Sequence, residues 1–88
     1  MSTSLYWKPV VKEEKYLGYR LKFYISESLW GHDGSLISEW TVIDKNSINL
    51  EYLKGVRDTT DDKNLKKEID ELIRLLNKYG EIEVSLIN

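Results

Sequence analysis

The chain of 88 residues has no cysteine, one histidine, one proline, one methionine and one phenylalanine. Without a thiol there is no disulfide framework and no thiolate metal centre. With a single imidazole, a zinc site that needs about three or four ligands would have to lean on scattered acids. Charge of one sign is also lacking. Lys and Arg number 13 against 15 Asp and Glu, for a net charge of −2, and neither sign forms a long block. Strong nonspecific attraction to nucleic acid or to anionic lipid is therefore not expected. No apolar run approaches the roughly 18 residues of a membrane helix. The start, "MSTSLYWKPVVKEEK", has no basic stretch leading into an apolar one, so no signal peptide is expected. Small secreted domains more often carry disulfides, which favours a reducing, cytoplasmic setting.

What is present suits one small globular domain: 41% hydrophobic and 32% charged residues. Ten lysines stand against three arginines, with eight isoleucines and five asparagines. That bias fits an AT-rich genome, such as a low-GC bacterium or its phage, and carries no chemistry.

"DDKNLKKEIDELIRLLNKYGEI" is the clearest element. Leu65, Ile69, Leu72, Leu76 and Tyr79 recur at steps of four and three, and Ile73 and Leu75 broaden the stripe. Asp61 and Asp62 suit an N-cap and a negative first turn, and Gly80 suits a left-handed stop. The spacing predicts a helix over about 62–79, with Lys66–Asp70, Lys67–Glu71 and Asp70–Arg74 as surface pairs. After Gly80 the period drops to two: Ile82, Val84 and Leu86 oppose Glu81, Glu83 and Ser85, which predicts a half-buried strand. "SLYWKPVV" reads as another strand, with Pro9 at an edge or bulge because it has no amide hydrogen. The fold class expected is α+β, with N- and C-terminal strands in one small sheet covered by the long helix.

The middle fits two periods. In "GYRLKFYISESLWG", Tyr19, Leu21, Phe23 and Ile25 alternate as in a strand, whereas Leu17, Leu21, Tyr24, Ile25 and Leu29 line one helical face. The length favours a helix over about 18–30, closed by Gly31. "SLISEWTVID" predicts a short strand with Leu36, Trp40 and Val42 on one side. A short helix is expected near 47–57, capped by Ser47 and weakened or ended by Gly55.

The candidate sites are few. "WGHDG" places His32 beside Asp33 between two glycines. Catalysis would need the carboxylate to reach one ring nitrogen while the other faced a substrate, and neighbours in a turn splay apart, so a turn is the expected reading. "DTTDDKN" lacks the glycine and the twelfth-position Glu of a calcium loop, Ile69 standing there instead. Glu13–Glu14, Glu68–Glu71 and Glu81–Glu83 fall on faces read as solvated, which argues against a glycosidase pair. Neither glycine-rich phosphate motif occurs. No cofactor and no metal are expected.

Three tryptophans and six tyrosines are the informative surplus. Trp40, Leu21, Ile25, Leu72, Ile73 and Leu76 are expected in the core. Trp7, Trp30, Tyr6, Tyr16, Tyr19 and Tyr24 cannot all be hidden in so thin a domain, and exposed rings anchor protein interfaces. The leading expectation is a small non-catalytic protein acting by protein–protein binding or self-association, a homodimer included. Contacts are expected at Tyr16, Tyr19, Trp30 and His32, or on the long helix at Leu75 and Tyr79. A second reading is a nucleic-acid-interacting protein, through Arg20 and Lys22 among Tyr19, Phe23 and Tyr24, or an acidic nucleic-acid mimic. A small hydrolase built on His32 is the remote third.

Overall fold

The computed structural model describes residues 4–9, 14–29 and 40–87. They form an α+β arrangement of four strands and three helices: β1 (Ser4–Lys8), β2 (Lys15–Gly18), α1 (Lys22–Ser28), β3 (Thr41–Asp44), α2 (Leu50–Thr59), α3 (Lys63–Tyr79) and β4 (Glu81–Ile87). The antiparallel sheet runs β2-β1-β4-β3, so the two strands from opposite ends of the chain are its central pair. Among the described residues no helix is long and apolar enough to cross a membrane.

α3 follows its sequence signals closely. Asp62 Oδ1 accepts from the amides of Asn64 (2.9 Å) and Leu65 (3.2 Å), filling donors that a helix start leaves open. Gly80 closes the helix at φ 81°, a conformation that favours glycine. Leu65, Ile69, Leu72 and Leu76 are buried against Ile82 and Val84 of β4 and Leu5 of β1. The surface pairs differ from those expected. Arg74 pairs with Glu71 at 2.6 Å, and Asp70 reaches Arg57 of α2 at 3.0 Å.

Four further expectations are corrected. The stretch 18–30 is not all helix: Gly18 ends β2, a bend follows, and α1 occupies only Lys22–Ser28. Leu17, Leu21, Ile25 and Leu29 are nevertheless all buried, because strand, turn and helix turn them to the same core. α2 starts three residues after the expected cap. Ser47 is engaged in a turn, its Oγ bonded to the amide and carbonyl of Asp44, so Asn49 caps the helix and accepts from Tyr52 N at 3.1 Å. Gly55 does not stop α2, which continues to Thr59. In β3 the faces are reversed: Ile43 is buried opposite Ile82, while Val42 is exposed and Trp40 half-buried. Adjacent apolar residues at 42 and 43 left the alternation undecided, and pairing with β4 chose Ile43.

Pro9 lies directly after β1, a central strand, where its missing amide ends the ladder. The sheet irregularity falls instead between Leu5 and Tyr6. The described core is aliphatic apart from Trp7, with Tyr24, Tyr52 and Ile73 packed against its margin.

Candidate functional site

Strand alternation sorts the rings by face. On β1, Leu5 and Trp7 point into the core, and Tyr6 and Lys8 point away from it. Tyr16 of β2 is directly opposite Tyr6, and the two rings meet edge to face at 5.5 Å. Tyr16 is 59% exposed. Lys8 reaches over Trp40, its Nζ 4.4 Å from the ring, and lies 3.6 Å from Glu83 Oε2.

A second aromatic group forms where the chain leaves β2. Tyr19 and Phe23 meet edge to face at 5.9 Å, and Lys22 Nζ stands 4.0 Å from the Tyr19 ring and 5.0 Å from that of Phe23. Phe23 is 62% exposed although it lies in a helix whose Ile25 is wholly buried. Arg20 is drawn to Asp62, Nε to Oδ2 at 2.9 Å, which ties this junction to the start of α3.

The residues expected as contacts fall into three groups. Tyr16 and Tyr79 are exposed and Tyr19 is half-buried; Tyr79 packs its ring 5.6 Å from Trp7 at the end of α3. Trp30 and His32 lie outside the described residues. Leu75 is corrected: it is 1% exposed and belongs to the core. The broad stripe of α3 is wide because the helix is packed between α2 and the sheet, not because one edge of it is free. Val42 was missed as a surface residue, while Tyr6 stood among the surplus rings, and Phe23 among the rings of the nucleic-acid reading, without being chosen as contacts. The alternation of "SLYWK" already placed Tyr6 opposite Leu5 and Trp7, and that signal was available in the sequence.

The expectation that Glu68 is solvated is also overturned. Its carboxylate is buried and Oε1 accepts from Leu21 N at 2.8 Å. Position 68 is three residues after Leu65 and four before Leu72, so it lies on the buried stripe. The carboxylate serves there as a fixed backbone acceptor. Tyr52 of α2 donates to Glu27 of α1, and this bond, with burial and the Glu27 charge adding to it, holds the phenol pKa up at about 12. Glu71 is held below the usual carboxylate range by its hydrogen bonds from Arg74. Among the described residues no three His, Cys, Asp or Glu side chains converge as metal ligands would.

These side chains offer ring faces and edges, cations seated on rings, and paired charges. They can hold a surface. No protein-family model, curated protein or solved structure matches the chain.

Proposed function

We propose that this protein acts inside the cell by binding a protein, either another chain or its own copy, and performs no catalysis. One observation carries this reading: Tyr16 and Phe23 stay largely exposed while a mostly aliphatic core closes without them. A ring left this exposed adds little to folding beyond its edge contact with a neighbouring ring, yet it provides large, rigid contact area with little entropy lost on binding. The nucleic-acid reading is less favoured, because Arg20 is occupied by Asp62 and Lys22 is drawn onto two rings. The acidic-mimic form of that reading stays within the same class of action, since a mimic also works by binding a protein.

A photo-crosslinking benzoylphenylalanine placed at Phe23 or Tyr16, in the cells that make the protein, is expected to trap a discrete protein adduct. The same group at Lys67, on the exposed side of α3, is expected to trap none. An adduct of twice the chain mass identifies self-association. No adduct at either ring position, or equal adducts at all three positions, refutes the proposal.

A further inference from the structure

We propose that the sheet face turned away from the helices seats a basic protein segment, an arginine- or lysine-bearing stretch of the partner; this rests on the binding reading above. Strand register builds the face. Tyr6 stands between Tyr16 on β2 and Ser85 on β4, and Lys8 stands opposite Glu83. Thr41 pairs with Val84, so the same register carried back one residue sets Trp40 opposite Ser85. Tyr16, Tyr6 and Trp40, which directly precedes β3, thus lie along one row, with the buried Ser85 between the last two.

Beside that row the charge is mostly negative. Glu83 shares the face with Glu81, and Glu81 is directly opposite Asp44. Like charges across a strand pair repel, and a cation brought between them relieves the repulsion. The structure already holds one instance of the recognition proposed: the Lys8 ammonium lies between the Trp40 indole, at 4.4 Å, and the Glu83 carboxylate, at 3.6 Å. Two cations of the partner would each reproduce half of this arrangement, one on the exposed Tyr16 ring and one between Glu81 and Asp44, two strands away and four residues further along β4. An apolar partner would instead leave those acids desolvated and unpaired, and a polyanion would be repelled.

The test titrates isotope-labelled protein with an oligo-arginine peptide, with oligo-glutamate and oligo-thymidine as separate arms, followed by NMR. Oligo-arginine is expected to move the signals of Tyr6, Lys8, Tyr16, Trp40 and Glu83 and to bind more weakly as salt rises from about 0.02 to 0.3 M. Tyr16→Ser changes no charge and is expected to weaken binding about fivefold through the lost ring. The Glu81→Gln, Glu83→Gln double variant is expected to weaken it by about the same factor. Lys8→Met vacates the indole and is expected to tighten binding. Tyr16 and Glu81 are exposed and Lys8 and Glu83 half-buried, and unchanged melting curves verify that each variant is folded.

Binding untouched by Tyr16→Ser is plain charge attraction and overturns the proposal. So do shifts confined to other surfaces, or oligo-thymidine moving the same signals more strongly. Crosslinks at Phe23 or Tyr16 with no response to oligo-arginine leave the binding reading standing and remove this one alone.

Discussion

Gly18 lies so close to Glu68 that a Cβ there would stand 2.3 Å from both Cδ and Oε1. The carboxylate cannot simply swing aside, because it is buried and holds Leu21 N. Gly18→Ala is therefore expected to force Glu68 off that amide and to destabilise the fold by about 1–3 kcal/mol. Glu68→Ala strands the same amide and is expected to lose a similar amount, about 1–3 kcal/mol. Both changes break one bond, so the double variant should lose clearly less than the two losses added together. Urea unfolding of the four proteins checks this, and strict additivity would show that the two sites do not communicate. Nothing in the local stretch "YLGYR" marks Gly18 for this role. Its constraint comes from a side chain 50 residues further along the chain, which no local pattern reveals.

Among the elements, α1 depends most on its neighbours. It has seven residues, and Leu21 at its start supplies no side-chain cap. So short a helix has little stability of its own. Glu68 holds the amide of its N-cap residue Leu21, Asn49 N donates to the Ser28 carbonyl at its end, and Glu27 accepts from Tyr52 of α2. The last link gives a pH prediction. The folded phenol pKa of about 12 lies above the unfolded value, so the link's contribution is complete below about pH 10 and disappears as pH climbs through about 12. Tyr52→Phe is expected to be less stable than the parent at neutral pH and to converge with it at the alkaline end. Chemical unfolding at several pH values measures the gap; a gap that stays constant with pH would exclude the Glu27 bond as its source. By contrast α3 carries its own cap, stripe and stop, and its limits were readable to within one residue.

At the scale of the whole molecule, β4 is the strand that everything else requires. It pairs with β1 on one side and β3 on the other, and Ile82 and Val84 are wholly buried. Removing residues 81–88 leaves β3 without its partner and β1–β2 as a bare pair, which is marginal in water. That shortened chain is expected to lose cooperative unfolding and near-ultraviolet dichroism; a sharp melt would mean that the helices and β1–β2 suffice.

Local patterning in the chain was enough to place α3, the alternation of β4 and the α+β class, and it led to the expectation that the two terminal strands join beneath the long helix. For α3 and β4 the signal lies in residues within a turn or two of one another: Asp62, Gly80, the 3.6-residue stripe and the two-residue alternation. Only the tertiary structure decided where β2 ends and α1 begins, which of Val42 and Ile43 faces inward, that Glu68 and Leu75 are buried, and that Phe23 is not. Those outcomes depend on which distant surface arrives opposite a given side chain. Backbone periodicity offers two faces, and packing selects the one that leaves water.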